Sequence, residues 1–277
     1  MNPVRFDGQV VLVTGAGRGL GRAYARLLAE RGAAVIAHDA GVGQDGIGSD
    51  PSVANEVVRG IEASGGTALA QYQNLSSRTA CEQLVESAAK HFGRLDAFIH
   101  SAGLVVYRGI EETEPEEWER LCKVNIEAPF WLCRAVLPLM KQRCYGRIVL
   151  TVSGVGLSAD SALPDVTAYA QGKAAQFGLM NALACEGEAW GIRVNAISPM
   201  AATRMFRRKV KPGEFSVEAV APAAVFLASS ACNFSGAVLR AGNGQFSVGR
   251  YLGTTGIRLE AAKPEDLVAR WDEIGGL

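Results

Sequence analysis

Short apolar runs alternate with longer amphipathic segments along most of the chain. Runs such as VVLVT at 10–14 and AVIAH at 34–38 predict strands that are covered on both faces, because they are apolar throughout. Similar runs predict strands at 67–73, 97–100, 147–152, 193–197 and 237–240, and amphipathic segments predict helices at 20–31, 53–64, 80–92, 115–140, 167–190 and 217–229. Alternating strands and helices indicate parallel strands joined by crossover helices. The expected fold is α/β: one doubly wound domain with a parallel sheet of about seven strands and helices on both faces.

The composition of the chain excludes several classes of protein. The chain has 277 residues, 48% of them hydrophobic, which suits one large domain or two small ones, and the absence of a linker favours one. Its net charge of zero gives no field that would attract nucleic acid or an anionic membrane. Six cysteines without C-x-x-C pairs and three unclustered histidines predict reduced thiols and no metal site.

Targeting signals are also sparse. No run of about 18 apolar residues occurs, and the first residues lack a basic segment followed by a long apolar one. The sequence ends in GGL, which is not a peroxisomal address. A soluble cytoplasmic protein is therefore expected.

A glycine-rich turn, TGAGRGLG at 14–21, directly follows the first predicted strand and opens the first predicted helix. Glycines allow a tight turn and let backbone N–H groups approach a phosphate, and the helix N-terminus adds partial positive charge. The spacing is T-G-x-x-x-G-x-G rather than G-x-G-x-x-G. In this context the turn predicts a dinucleotide site. Its members are Gly15, Gly17, Arg18, Gly19, Leu20 and Gly21.

Asp39 ends the second predicted strand, 18 residues after Gly21. A carboxylate there can accept hydrogen bonds from both hydroxyls of the adenosine ribose, and it would repel a 2′-phosphate. Arg18 could offer that phosphate a partner. We expect Asp39 to dominate, because its charge lies where the phosphate would go, so that NAD is favoured over NADP.

Tyr169 and Lys173 lie four residues apart on a predicted helix and therefore share a face. A free phenol has a pKa of ~10, too high for a base near neutral pH, and an adjacent ammonium is expected to lower it. Such pairs are common on helices, so the spacing alone is weak evidence. Together with the glycine turn and the strand before it, the pair predicts proton transfer at a substrate oxygen.

These motifs in combination resemble the short-chain dehydrogenase/reductase family. The matching pieces are TGAGRGLG, SAG at 101–103, Asn125 in KVNIEAPF, Ser153, and Tyr169-x-x-x-Lys173, and they span nearly the whole chain. The runs RFDGQVVLVTGAGRGLGRAYA and KPEDLVARWDEI are similar, within the family, to the (3R)-hydroxyacyl-CoA dehydrogenase domain of peroxisomal multifunctional enzymes. The resemblance implies one Rossmann-like domain over 1–277 with a C-terminal extension from about 240.

The resemblance also implies roles for individual residues. Tyr169 would exchange the proton of the substrate oxygen, Ser153 would hydrogen-bond that oxygen, Lys173 would bind the nicotinamide ribose, and Asn125 would hold a water that links Lys173 to solvent. Further contacts with the cofactor are implied at Asn74, Leu75, Ser101, Ala102, Gly103, Tyr169, Lys173, Pro199 and Thr203, the last of which would bind the carboxamide.

The position of the serine is open to alternatives. Ser153 precedes Tyr169 by 16 residues, about three more than the family spacing, and Ser158 and Ser161 are rivals for the same role. Ser153 is preferred, because it directly follows a predicted strand and a short insertion in 157–166 explains the offset.

The family pattern is not followed everywhere. HSAG at 100–103 stands for the usual NNAG, Asn74-Leu75 for Asp-Val, and Met200 for the usual glycine. The leading hypothesis is an NAD-dependent oxidoreductase acting on a 3-hydroxyacyl-CoA. The alternatives are a ketoreductase or hydroxysteroid dehydrogenase acting on a free alcohol or ketone, and a dinucleotide-binding regulator that has lost catalysis.

Two surface expectations follow. A basic stretch would meet the phosphates of a CoA thioester or would be a solvated mobile loop. Its members are Arg204, Arg207, Arg208, Lys209 and Lys211. The helices predicted at 115–140 and 167–190 carry more apolar surface than one sheet face needs, and the resemblance implies that they pair in a homodimer or homotetramer.

Overall fold

An eight-stranded sheet forms the centre of the protein. The structure is a computed structural model that describes residues 3–207, 210–211, 213–250 and 253–275. The strands are β1 Val10–Thr14, β2 Ala34–His38, β3 Thr67–Gln71, β4 Ala97–His100, β5 Gly146–Thr151, β6 Ile192–Met200, β7 Val238–Gly242 and β8 Gln245–Gly249. Their order in the sheet is β3-β2-β1-β4-β5-β6-β7-β8. All neighbouring pairs are parallel except β7 and β8.

Helices follow the strands along the chain. They are α1 Gly19–Glu30, α2 Ser52–Ala63, α3 Arg78–Phe92, α4 Pro115–Cys122, α5 Ala128–Gln142, α6 Thr167–Gly187, α7 Ala221–Ala228, α8 Pro264–Ala269 and α9 Trp271–Ile274. Among the described residues, no helix is long and apolar enough to cross a membrane.

Two apolar layers cover the sheet. Val11 and Val13 face one side, where helices α1, α2 and α7 pack, and Val10 and Leu12 face the other, where α3, α5 and α6 pack. Successive residues of a strand point to opposite faces, so a strand that is covered on both sides must be apolar throughout. This confirms the single doubly wound α/β domain that the sequence predicts.

The sheet has one more strand than the expected seven. The sequence predicts no strand at β8, because its sequence QFSVG lacks a continuous apolar run. β8 pairs antiparallel with β7 through the turn Asn243-Gly244, where both residues have positive φ. An edge strand with exposed faces needs no apolar run, so periodicity does not reveal it.

Helices α4 and α5 are joined by a π-helical turn, Lys123–Glu127, which contains Asn125. The three elements together form the long helical stretch predicted at 115–140. Short π-helical insertions in α-helices frequently occur at functional sites. Here the insertion places Asn125, which is completely buried, against the helix α6 that carries Tyr169 and Lys173.

Candidate active site

The glycine turn connects β1 to α1 at the carboxyl end of β1, which lies between β2 and β4 in the sheet. The order of the strands reverses at β1, and open α/β sheets bind their ligands at such a switch point. A Cβ atom added to Gly15 would lie 2.8 Å from the Cα of Ala102, so this glycine lets the segment after β4 pack directly on the turn. Gly19 has φ +51° and faces the side chain of Thr203, 3.3 Å from where its Cβ would lie. Thr203 therefore closes the turn from across the cleft.

Asp39 lies beside the turn and is fixed by the backbone. Its two carboxylate oxygens accept hydrogen bonds from the N–H groups of Gly17 at 2.9 Å and Gly41 at 2.8 Å. A side chain at Gly17 would collide with Val53 and with the Asp39 carboxylate, so only glycine permits this approach. The carboxylate lines the cleft with a fixed position and orientation.

The loop between β2 and α2 arches over this end of the cleft. The carbonyl of Val42 accepts hydrogen bonds at 3.0 Å from the guanidinium groups of both Arg18 and Arg204. Gln44 donates a further hydrogen bond of 2.9 Å to the carbonyl of Arg204. These bonds join the glycine turn, the β2–α2 loop and the segment after β6 into one rim.

Tyr169 and Lys173 lie on the same face of α6, as predicted. The Nζ atom of Lys173 is 5.6 Å from the centre of the Tyr169 ring and donates a hydrogen bond of 2.8 Å to the carbonyl of Thr151 at the end of β5. Lys173 is only 3% exposed. Burial lowers the pKa of Lys173 to about 8, since a buried ammonium loses its hydration.

The pKa of Tyr169 differs from the sequence-based expectation. Burial raises it to about 12, and the nearby Ser153 hydroxyl counteracts only part of this effect. The lowering that the sequence predicts from Lys173 is not found, and the cost of burying a phenolate dominates the pKa.

Asn125 holds the chain segment that follows β4. Its Oδ1 accepts a hydrogen bond of 2.8 Å from the Leu104 N–H, and its Nδ2 donates one of 2.7 Å to the Leu104 carbonyl. The main-chain carbonyl of Asn125 accepts a hydrogen bond of 3.0 Å from the buried side chain of Gln176 on α6. Both ends of the Asn125 residue are therefore anchored, and Gly172 lets α6 pass close beside it.

The three candidate serines have different surroundings. Ser153 ends the extended segment after β5 and lies close enough to the Tyr169 phenol to affect its pKa. The hydroxyl of Ser158 accepts a hydrogen bond of 3.2 Å from the Asp160 N–H and so caps its own short turn. Ser161 packs against Gly154 and also lines the cavity.

One cavity of about 880 Å³ extends from the glycine turn past Tyr169 to the β7–β8 hairpin, and a smaller one of about 140 Å³ lies beneath the β2–α2 loop. Most of the predicted site residues line one or both: Gly15, Arg18, Leu20, Gly21, Asp39, Asn74, Leu75, Ser101, Ala102, Gly103, Ser153, Tyr169, Lys173, Pro199 and Thr203. Gly17, Gly19 and Asn125 are not among the residues that line either cavity. The Asn74 side chain is engaged locally, with its Oδ1 accepting a hydrogen bond from the Ser76 N–H at 3.1 Å.

The cavities have features that suit an extended anionic ligand. Arg18, Lys173, Arg204 and Arg240 line them, and Asp39 is the single acidic residue among the described residues of the lining. Lys173 has one acceptor in the described protein for an ammonium with three N–H donors. The size matches that of ordinary ligand pockets, which measure roughly 300–1,000 Å³.

Sequence reasoning missed several lining residues. Tyr107 donates a hydrogen bond to the Met205 carbonyl and spans the cavity between two loops. Arg240 and Phe246 belong to the β7–β8 hairpin. No motif identifies these positions, because they reach the site through loop packing and an edge strand.

The basic stretch is divided between different surroundings. Arg204 binds the β2–α2 loop, and the guanidinium of Arg207 lies 3.8 Å from the centre of the Tyr107 ring. Lys211 donates from its backbone to the Glu214 carboxylate. Arg208 and Lys209 lie outside the described residues.

Comparisons with known proteins show the family and the fold. The family model described as short chain dehydrogenase matches residues 9–214. A short-chain type dehydrogenase/reductase of Mycobacterium tuberculosis is 33% identical over 97% of this chain and 94% of its own length. A crystal structure of a short chain dehydrogenase from Mycobacterium avium superposes with a TM-score of 0.84, at 31% identity, over 98% of this chain and 96% of that one.

A longer relative matches as well. The mouse peroxisomal multifunctional enzyme type 2 is 37% identical over 99% of this chain, but the match covers 37% of the mouse protein. The chain therefore spans little more than a third of the length of that relative.

Proposed function

We propose that this chain, which belongs to the short-chain dehydrogenase family, is an NAD-dependent oxidoreductase that interconverts a secondary alcohol and a ketone, with a 3-hydroxyacyl-CoA as its substrate type. The observation that carries the proposal is the convergence of Ser153, Tyr169 and Lys173 on one cavity that also contains the glycine turn. Enzymes of this family are oxidoreductases that use NAD(P).

Tyr169 and Ser153 are the residues that we assign to the substrate oxygen. The phenol, with its pKa raised to about 12 by burial, is protonated near neutral pH and holds a proton that it can donate to the oxygen of a ketone. The Ser153 hydroxyl lies next to that phenol and orients the same oxygen. Bound NAD(P) supplies the hydride acceptor or donor at its nicotinamide ring.

Lys173 and Asn125 organise the surroundings of the phenol. Lys173 keeps an ammonium within the cavity, fixed by Thr151, with donors left for a ribose hydroxyl or a water. Asn125 fixes Leu104, which belongs to the small buried cluster against which Tyr169 packs. We assign Asn125 a positioning role through this contact, and the water proposed for it from the resemblance remains a prediction.

Asp39 is the residue that supports NAD as the cofactor. Its carboxylate is fixed at the cleft by two backbone N–H groups, and a 2′-phosphate beside it would be repelled. Arg18 and Arg204, the cations nearby, both donate to the Val42 carbonyl and are thereby directed into the rim.

The first test is turnover by the purified protein and by its Tyr169→Phe variant. With NAD and a panel of 3-hydroxyacyl-CoA thioesters and free secondary alcohols, the wild type should form NADH. The variant should lose more than about 1,000-fold in kcat, because it cannot transfer the proton, and should still bind NAD, because only one hydroxyl is removed. NAD binding by both proteins with turnover by neither would instead support a dinucleotide-binding regulator.

The substrate panel also distinguishes between the two candidate enzyme activities. Turnover limited to thioesters supports the 3-hydroxyacyl-CoA assignment. Turnover limited to free alcohols, steroids among them, would favour a ketoreductase or hydroxysteroid dehydrogenase.

We also propose that the protein forms a homodimer or homotetramer. Large apolar side chains are exposed on three helical segments: Trp118 on α4, Phe130 on α5 and Trp190 in the turn after α6. Burying such side chains between copies would stabilise an oligomer. A molar mass of one chain by light scattering would refute this.

A further inference from the structure

The four cations that line the cavities differ in how they are engaged. Arg18 and Arg204 donate to the Val42 carbonyl, and Lys173 donates to the Thr151 carbonyl. Arg240 makes no hydrogen bond or ion pair with any described residue, although its guanidinium carries five N–H donors. Of the four lining cations, it alone lacks a partner in the described part of the chain, and it lies at the end of the cavity opposite Asp39.

The sheet register places Arg240 at the outer rim of the cavity. It pairs with Ser198 of β6 on one side and with Ser247 of β8 on the other, so the three side chains point to the same face of the sheet. All three line the cavity. A Cβ on Gly249 would lie 3.6 Å from the Nε of Arg240, so the absence of a side chain at Gly249 leaves room for the guanidinium to extend across β8.

The β8 residues that share the face of Arg240 form a small polar group. The side chains of Gln245 and Ser247 are without hydrogen-bond partners in the part of the chain that the structure describes. Phe246 lines the same cavity and is 53% exposed. None of the described residues at this end of the lining is a carboxylate, because the one acidic lining residue, Asp39, lies at the cofactor end.

We infer that Arg240, together with Gln245 and Ser247, binds an anionic group that the substrate carries at a distance from its reacting carbon. The inference rests on the proposed oxidoreductase function and specifies its substrate class. A guanidinium suits phosphate and carboxylate equally, since it donates two parallel N–H bonds to either. The anion is therefore a phosphate of a thioester carrier or a carboxylate at the far end of the acyl chain.

The basic stretch does not supply this function in the described structure. Arg204 is engaged by Val42, and Arg207 stacks on Tyr107 outside the lining of the cavity. Among the described residues of the lining, Arg240 on the β7–β8 hairpin therefore supplies the positive charge at the substrate end.

The test compares Arg240→Gln and Arg240→Lys with a control, Arg59→Gln. Arg59 is an exposed arginine on α2 that lines neither cavity. Three substrates carry a 3-hydroxyacyl chain of one length. The CoA thioester and the N-acetylcysteamine thioester, which lacks phosphate, carry the same acyl group, and the third is an N-acetylcysteamine thioester whose acyl chain ends in a carboxylate.

For the anionic substrate, Arg240→Gln should raise KM by about 10- to 100-fold with kcat nearly unchanged, because one charge-assisted contact distant from the reacting carbon is lost. Arg240→Lys should recover part of the loss, since it keeps the charge but not the two-pronged geometry. The neutral thioester and the Arg59→Gln variant should show no change.

The two sources of the anion give different results. An effect on the CoA thioester alone identifies the phosphate, and an effect on the carboxylate-ended thioester alone identifies the carboxylate. Equal effects on all three substrates, or an effect on none, would overturn the inference while leaving the oxidoreductase function intact.

A binding measurement covers the case in which the wild type turns over none of these substrates. Free CoA and adipate are each titrated calorimetrically into wild type and Arg240→Gln in the presence of NAD. Weaker binding of either anion to the variant supports the anion site although the proposed reaction has failed. Equal heats for both proteins would overturn it.

Discussion

Replacing Gly172 with alanine tests the contact that brings the catalytic helix against the π-helical turn. A Cβ at this position would lie 2.8 Å from the Cβ of Asn125 and 3.3 Å from the Cδ2 of Leu121, both of which are buried. The shorter contact joins two Cβ atoms, which cannot rotate away. The backbone of α6 or of the turn Lys123–Glu127 must therefore move by about half an ångström.

The expected change in stability combines two opposing effects. Alanine in place of glycine inside a helix stabilises by about 1 kcal/mol, while overpacking a buried contact destabilises by about 1–3 kcal/mol. Gly60→Ala in α2 is the matched control, because a Cβ there meets only the flexible end of Arg26, at 3.6 Å. Gly60→Ala should be stabilised by about 1 kcal/mol, and Gly172→Ala should be about 1–3 kcal/mol less stable than that control.

Urea unfolding followed by circular dichroism measures both variants, and kcat/KM measures the consequence for the site. The displacement moves Asn125, and with it Leu104, relative to Lys173, so we expect kcat/KM to fall about tenfold or more in Gly172→Ala and to stay unchanged in Gly60→Ala. If Gly172→Ala were as stable and as active as Gly60→Ala, the close packing of α6 on Asn125 would be refuted.

Two further predictions concern charge in the cleft. Burial lowers the pKa of Lys173 from 10.5 to about 8, so the unfolded chain binds the lysine proton more tightly than the folded chain does. The free energy of unfolding of the wild type should therefore rise by up to ~3 kcal/mol relative to that of Lys173→Met as the pH rises from 8 to 10.5. Denaturation curves that stay parallel across this window would contradict the burial of a charged lysine. Asp39→Asn removes the charge beside the ribose site, so the ratio of NADP to NAD affinity, followed by tryptophan fluorescence, should rise about tenfold or more. An unchanged ratio would mean that another group selects the cofactor.

The local patterns of the sequence determine much of the architecture. Continuous apolar runs can be buried on both faces only in a covered parallel sheet, so β1, β2 and β4 match their predicted bounds to the residue. The turn at 14–21 can likewise be predicted from the sequence, because glycine is needed where Gly17 contacts Asp39 and where Gly19 has a positive φ. The i, i+4 pair of Tyr169 and Lys173 follows from helix geometry alone.

Other properties depend on contacts between residues far apart in the chain, and these only the tertiary structure decides. The pKa of Tyr169 is raised because burial outweighs the opposing effect of the Ser153 hydroxyl, which comes from another element. The hydrogen bond between Asn125 and Leu104 depends on a π-helical turn, which the hydrophobic periodicity of the sequence does not predict. Arg240 enters the cavity because β8 adds to the edge of the sheet, and an exposed strand has no apolar run by which the sequence could reveal it. Sequence thus specifies elements whose cause is local, whereas the placement of charge depends on which distant segments exclude water around it.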